Sequence, residues 1–121
     1  TGTSWAQEAR IVSSDIALDD EFGNTVAINS TDGSVAVVGA HLEDTGGDMA
    51  GAAYIFKRDG TSWSQDAKIV ADDAAAYDYY GWRVAITADG SHVFVTAQLE
   101  NSNQGKIYVY KRIHRIQKYS L

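Results

Sequence analysis

An all-β fold of repeated four-stranded units is predicted by three features of the sequence. First, the stretches Gly2 to Ile28 and Gly60 to Ile86 are identical at 15 of 27 positions. Second, each repeat contains short apolar runs, rich in β-branched and aromatic residues, that are typical of strands. Third, Asp-Gly turn signals separate the runs. The repeat period of about 54 to 58 residues is close to that of a β-propeller blade.

The first complete repeat predicts four antiparallel strands in chain order within residues 22–70. The runs "VAI", "VAVVGA" and "AAYIF" are apolar and bounded by turn residues, so we expect the longer two to be buried on both faces. The fourth run, "SWSQDAKIV", alternates, with Trp63 and Gln65 on one side and Asp66 and Lys68 on the other. This pattern is typical of a half-exposed outer strand, and the two charges discourage pairing of its edge.

The second repeat supplies three of these strands, within residues 80–112. A copy of the fourth strand stands instead at the start of the chain, where residues 3–12 read as an orphan outer strand. Propeller rings can close by sharing one blade between both chain ends. Two blades cannot close alone, so we expect the ring to be completed by other copies or by a longer parent chain. Three copies would give six blades and four copies eight.

The last segment, residues 113–121, reads "IHRIQKYSL" and does not match the repeat. From Lys111 onward the chain carries four basic residues and no acidic one, so we expect this basic tail to dock on the acidic body. Three interpretations stay open: a non-native extension, a terminal cap, or a substitute strand.

Composition excludes several classes of protein. The 121 residues carry a formal net charge of −6, which argues against a nucleic-acid surface because phosphates require clustered Lys and Arg. The sequence has no run of about eighteen apolar residues, and its first residues do not match the pattern of a signal peptide, which leaves open an export signal that has been removed. It also lacks cysteine, so neither disulfides nor thiolate metal sites are expected. Because it begins with Thr1, we expect a processed or excised product.

Several motifs resemble one known family. "FG" at Phe22-Gly23, "VGAH" at residues 38–41 and the later "GAAYIFKRDGTSW" resemble the FG-GAP repeat of integrin α-chain propellers and of many bacterial and archaeal surface proteins. The resemblance covers nearly all of residues 1–112. It departs at His41, where the family has Pro, and in the second repeat at Tyr80-Gly81 and Thr96-Ala97-Gln98. The resemblance implies four-stranded blades, an extracellular or cell-surface location and a binding or adhesion role.

Metal-binding members of the family carry a calcium loop after the Gly-Ala-Pro motif. This chain has Glu43 to Asp48 at that place in the first repeat and Glu100 to Asn103 in the second. Neither stretch supplies an oxygen ligand at every second position, as a Ca²⁺ loop requires. The sequence therefore predicts no cofactor, with calcium at Asp44 and Asp48 as the alternative.

The stretch "YDYYGW" is the predicted ligand platform, because Tyr and Trp side chains stack on sugars and anchor protein partners. Tyr80 occupies the Phe position of the family motif, so we expect it to pack between blades. This leaves Tyr77, Tyr79 and Trp82 as the candidate residues for binding a protein or glycan ligand.

Catalysis is not predicted. His41, His92 and His114 lack metal-ligand spacing, and no activated Ser or Cys motif is present. The acid pairs Asp19-Asp20, Glu43-Asp44 and Asp72-Asp73 are adjacent, so on a strand their side chains would point to opposite faces.

Two functions from different classes remain. The first is a non-catalytic binding, adhesion or structural propeller module that assembles by strand exchange. The alternative is a carbohydrate-active propeller, either lectin-like or glycoside-processing, whose site forms only in the assembled ring. Asn29-Ser30-Thr31 also matches the glycosylation sequon, a short pattern that is common by chance.

Overall fold

The computed structural model describes residues 4–15, 20–44, 49–72, 78–97 and 105–113. Seven strands and no helix lie in these ranges: β1 (Thr25–Ile28), β2 (Val35–Ala40), β3 (Ala52–Asp59), β4 (Ser62–Ile69), β5 (Tyr80–Ile86), β6 (His92–Ala97) and β7 (Lys106–Lys111). They form one sheet of four strands and one of three, all antiparallel. The predicted all-β fold of propeller-type blades is confirmed, and the ring is not closed within this chain.

Blade 1 contains β1 to β4, hydrogen-bonded in chain order. Its second strand is buried along its whole length, as its unbroken apolar run predicts. The outer strand β4 alternates between exposed and half-buried residues over its first half, as predicted. Its second half differs from the prediction, because Lys68 is opposite Tyr54 and so lies on the same face as Trp63. A register shift between Ile55 and Phe56 leaves one extra residue in β4, which is the pattern of a β-bulge.

Blade 2 contains β5 to β7, also in chain order. Its last strand, β7, pairs with β6 from Lys106 to Lys111, and within the described part of the chain no strand lies on its other edge. Blade 2 therefore matches the first three strands of blade 1 and presents an open edge where blade 1 has β4.

Each blade has two faces, and the repeat makes their residues equivalent. We call face A the side formed in blade 1 by Val38, Ala40, Tyr54 and Phe56 and in blade 2 by Val95, Ala97, Tyr108 and Tyr110. Face B is the opposite side, formed in blade 1 by Val37, Ala53 and Ile55 and in blade 2 by Phe94, Ile107 and Val109. Side chains alternate between the two faces along each strand.

The two blades pack head to tail. Face B of blade 1 meets face A of blade 2 in one apolar core, which includes Val37, Ala53, Val93 and Val95. Tyr80 is fully buried in this core, as expected from its place in the repeat. Hairpin turns of the two blades also contact each other, and the backbone N–H of Thr31 donates to the Ala88 carbonyl at 2.9 Å.

The backbones of the two blades come close at one end of this junction. Tyr80 donates its backbone N–H to the Ala50 carbonyl at 2.8 Å and forms a parallel bridge with Gly51. Gly81 has φ +93°, and a Cβ there would overlap the Ala52 carbonyl oxygen. A Cβ at Gly39 would in turn overlap the Gly81 carbonyl oxygen. The junction therefore requires glycine at these positions, for close approach as well as for backbone angle.

The N-terminal segment, residues 4–15, covers the part of face A of blade 1 that β3 and β4 form. Glu8 accepts hydrogen bonds from Arg58 at 2.9 and 3.1 Å and from the Trp63 indole at 3.0 Å. Asp15 accepts from the Tyr54 hydroxyl at 2.9 Å and also pairs with Lys68. Ile11 packs against the apolar cluster of this face.

The N-terminal segment has no strand between residues 4 and 13. In the single chain it lies across face A of blade 1 and not beside β7, and Trp5 is 93% exposed. The sequence places residues 3–12 as the outer strand of a blade in a closed ring, where β7 belongs to another copy. That assignment concerns an assembly and stays a prediction here.

Candidate functional site

An aromatic cluster lies where β2 ends and β5 begins. The rings of Tyr79 and Trp82 stack at 6.0 Å between centroids with 22° between their planes. The imidazole of His41 meets Trp82 edge to face at 4.7 Å and Tyr79 at 5.8 Å. We call these three residues the rim cluster. Both Tyr79 and Trp82 keep part of their surface exposed, whereas His41 is buried.

The backbone has the same strained, left-handed conformation at one equivalent position of each blade, next to the rim cluster. Tyr79 has φ 58°, and its equivalent in blade 1, Glu21, has φ 57°. A left-handed conformation costs a residue other than glycine about 1 to 2 kcal/mol. It persists at Tyr79 because the N–H donates to the Met49 carbonyl at 3.2 Å and the carbonyl accepts from Trp82 N–H at 3.1 Å. Turns fixed in this way hold the Tyr79 ring against its neighbours.

His41 is surrounded by groups that act on its charge in opposite directions. Burial lowers the pKa of His41, the nearby carboxylate of Glu21 raises it, and the positive charge of Arg83 lowers it again. Burial has the largest effect, so the ring is neutral at pH 7. The Glu21 carboxylate lies 3.8 Å from Nε2, and the Arg83 guanidinium carbon lies 5.5 Å from the Trp82 ring centroid. The rim cluster thus presents aromatic surface bordered by one acid and one base.

Of the three residues predicted to bind a ligand, the structure brings Tyr79 and Trp82 together, and Tyr77 lies outside the described residues. His41 was not among the predicted ligand residues, because the sequence showed it only as a replacement for Pro and as a histidine without metal-ligand spacing. The signal that could have identified it is its position directly after the buried strand β2, because this strand ends beside the start of β5 in the next blade.

A second concave site lies between the blades, beside the end of β7. This inter-blade cleft is a cavity of about 150 Å³. Its apolar lining comes from Val35, Ile55, Val93 and Tyr110, and its charged lining from Lys57, Asp66, Lys111 and Arg112. Residues of both blades contribute to this lining. Blade 1 has β4 at the equivalent place.

The predicted acid pairs do not form a catalytic arrangement within the described residues. Glu43 is buried and accepts from Lys68 at 2.7 Å, whereas Asp44 is exposed and accepts from the Met49 N–H at 2.9 Å. One member of each of the other two pairs, Asp19 and Asp73, lies outside the described residues, as does the calcium candidate Asp48. Nowhere in the described ranges do three or more His, Asp or Glu side chains come together as metal ligands.

The glycosylation sequon is explained by its hydrogen bonds. Asn29 is buried, its amide NH₂ donates to Asp32 at 2.9 Å and its carbonyl accepts from the Val35 N–H at 2.8 Å. The side chain therefore stabilises the β1–β2 turn and is inaccessible to a modifying enzyme. The described residues also contain no helix long and apolar enough to cross a membrane.

Comparison with protein families gives one result. The family described as the FG-GAP repeat matches twice, at residues 5–56 and 63–110. No curated protein matches the chain. The two matched ranges begin at Trp5 and at Trp63, so each begins with the sequence of an outer strand and continues through the next three strands.

Proposed function

Because the chain belongs to the FG-GAP repeat family, we propose that it is a non-catalytic binding or structural module that works as a closed ring of several copies. The β-propeller repeat character comes from the family match and the two sheets. The proposal adds assembly by strand exchange, a ligand at the rim cluster, and an extracellular or cell-surface location as the family resemblance implies.

One observation supports assembly above all: the apolar residues exposed in one blade are the equivalents of residues packed in the other. Val26 and Ile28 of blade 1 are 63% and 52% exposed, yet their equivalents in blade 2 pack in the junction. Ile107 of blade 2 is 68% exposed, whereas its equivalent Ala53 is fully buried. Both unfilled surfaces are thus of the type that forms the observed junction.

These two surfaces are complementary. The junction within the chain joins face B of blade 1 to face A of blade 2, so face B of blade 2 is suited to face A of blade 1 in another copy. A contact of this kind is heterologous, and it forms a closed ring when the rotation per copy divides a full turn. Exposed apolar patches of this type mark interaction sites in soluble proteins.

Sedimentation velocity at micromolar concentration tests the assembly. We expect a discrete species of three or four copies, and we expect Ile107→Asp to convert it to monomers that remain folded. Thr61→Asp, in the exposed turn before β4, is a matched control that adds the same charge away from both faces. A wild-type chain that stays monomeric and stable at these concentrations would contradict the proposal.

We place the ligand, a protein or a glycan, at the rim cluster. What supports this is the partly exposed pair Tyr79 and Trp82 beside Arg83, since aromatic faces with a neighbouring base suit sugars and protein anchors. Screening the assembled protein against a glycan array, with Trp82→Ala as the test variant, separates the two ligand classes. Glycan binding that Trp82→Ala abolishes would favour the lectin-like form of the carbohydrate-active alternative.

A further inference from the structure

The inter-blade cleft has an apolar lining, and Trp5 exposes its apolar indole to solvent. Packing within the single chain explains neither feature. We infer that the cleft of one copy receives Trp5 of a second copy, whose residues 4–12 pair along β7 as the fourth strand of blade 2. This inference rests on the proposed ring and adds the receiving site and the register. The occupant is a second copy of this chain.

The cleft lies at the place that an outer strand fills in blade 1. There, β4 pairs with β3 and places Trp63 over face A beside Phe56, where both residues line the same surface groove. The equivalent of Phe56 in blade 2 is Tyr110, which lines the cleft. A strand added to β7 in the same way would therefore place its own tryptophan into the cleft.

The repeat fixes the register of that added strand. In blade 1, Ile55 is opposite Ala67 and Arg58 is opposite Trp63. The equivalent pairs across two copies are Val109 with Ala9 and Arg112 with Trp5. The family match supports this alignment, since its two ranges begin at Trp5 and Trp63.

The side chains of the donated segment suit the cleft in polarity as well. An indole fits a small cavity with an apolar lining that includes Ile55 and Val93. Glu8 would approach the basic residues Lys111 and Arg112, and Arg112 is the equivalent of Arg58, with which Glu8 already pairs in the single chain.

Donation and the observed position of the segment are mutually exclusive. In the single chain, Glu8 pairs with Arg58 and Asp15 pairs with Lys68, which holds the N-terminal segment over face A of blade 1. Face B of another copy needs that same face A. Release of the segment would therefore uncover the β3–β4 part of the docking face and supply the missing strand in one step.

Engineered cysteines test the register, because the chain has no cysteine of its own. The variant Ala9→Cys/Val109→Cys should form disulfides between copies under mild oxidation, visible on non-reducing gels as covalent multimers. Ala6→Cys/Val109→Cys displaces one partner by three positions, about 10 Å along a strand, and should cross-link much more slowly. Both variants are compared at equal oligomeric state by sedimentation under reducing conditions.

The outcomes separate this inference from the proposed function. Covalent multimers from the first pair alone support both. A ring that forms without this cross-link, or a cross-link within one chain, would overturn the inference and leave the ring standing; the basic tail as substitute strand predicts this result. Absence of any oligomer would overturn the ring and the inference with it.

A tryptophan variant gives an independent measurement. Trp5→Ala should leave the unfolding midpoint of the dilute monomer unchanged, since the side chain is exposed there, and should weaken assembly at least about tenfold. Trp5→Phe should restore part of that loss because it keeps an aromatic ring. Assembly of Trp5→Ala with unchanged affinity would contradict the proposed seat of the indole.

Discussion

Blade 1 and blade 2 are built from one repeated pattern, and they differ in what covers them. Blade 1 has four strands, with blade 2 on one face and the N-terminal segment on the other. Within the described residues, blade 2 has three strands and no element that covers its face B. Ala53 and Ile107 occupy equivalent positions yet differ from fully buried to 68% exposed. Exposure at a repeat position therefore depends on which neighbours are present, even where the residues are equivalent.

Aromatic packing inside each blade is the same, although the surroundings of the two blades differ. Phe22 meets Tyr54 edge to face at 5.3 Å, and the equivalent rings Tyr80 and Tyr108 meet at 5.2 Å with nearly the same angle. Local packing of the repeated turn onto its own sheet therefore does not depend on the neighbouring blade.

At one equivalent position the two blades carry different residues, so the proposed junction between copies cannot be identical to the junction within the chain. Gly39 lies against the Gly81 carbonyl in the junction within the chain, but blade 2 has Thr96 at that position. Thr96 accepts from the Arg83 N–H at 3.0 Å, so its side chain contributes to the pairing of β5 with β6. Because its Cβ occupies the space that the junction requires, a junction between copies must be wider at this end.

The largest expected difference in stability between equivalent substitutions lies at two glycines, Gly81 of blade 2 and Gly23 of blade 1. Gly81→Ala should destabilise the chain by more than about 3 kcal/mol, because the methyl group collides with the Ala52 carbonyl as well as straining the backbone. Gly23→Ala carries the same φ of +93° but has open space, so it should cost only about 1 kcal/mol. Urea denaturation of both dilute variants measures the difference, and equal losses would show that the junction does not require close approach.

The next effect concerns a hydrogen bond that blade 2 has and blade 1 lacks. The hydroxyls of Tyr80 and Tyr110 lie 2.6 Å apart, whereas the equivalent residues of blade 1 are Phe22 and Phe56. Burial and this bond raise the pKa of Tyr80. Tyr110→Phe should cost about 1 to 3 kcal/mol, since it removes the bonding partner of a fully buried hydroxyl.

A double-mutant cycle tests that explanation. Tyr80→Phe/Tyr110→Phe reproduces the pair of blade 1 and should cost less than Tyr110→Phe alone, because no buried hydroxyl then lacks its partner. Additive losses in denaturant unfolding would mean that the two hydroxyls act independently.

The sequence was sufficient to predict the strands of the two blades but not the position of the N-terminal segment. Runs such as "VAVVGA" decide their own burial, because an apolar strand with turns on both sides has few alternatives. The position of residues 4–13 could not be read in this way, since the same amphipathic pattern suits both a strand on β7 and a cap on face A. Likewise, His41 joined the rim cluster through a contact between blades, which no spacing along the chain encodes.

A third, smaller effect concerns the cap on blade 1, which has no counterpart on blade 2. The hydrogen bond from Lys68 lowers the pKa of Asp15 below 3.8. The unfolded chain therefore binds this proton more readily, and the contact stabilises the cap above about pH 4 and is lost as the pH falls through the lowered pKa. Asp15→Asn should reproduce the low-pH state at neutral pH.

Hydrogen exchange with mass spectrometry measures that change. In Asp15→Asn we expect faster exchange of the Ser14 amide, which donates to the Gln65 side chain at 3.0 Å, with β2 and β3 unaffected. Asp59→Asn makes the same chemical change at the exposed end of β3 and serves as the control. Unchanged protection in the Asp15 variant would mean that the apolar contacts of Ile11 hold the segment without the ion pair.

The smallest expected effect lies at the rim cluster, where the blades differ at one position. His41 is equivalent to Gln98 of the second repeat, so His41→Gln gives blade 1 the residue of blade 2. Burial lowers the pKa of His41 from 6.5, which means that the unfolded chain takes up the proton first as the pH falls. Wild-type stability should therefore decline below about pH 6.5 and stop declining once the folded His41 is also protonated. Denaturant midpoints from pH 8 to 5 should show this decline in the wild type and less of it in His41→Gln. An identical decline in both proteins would assign the pH dependence to other groups and leave the edge-to-face contact with Trp82 as packing alone.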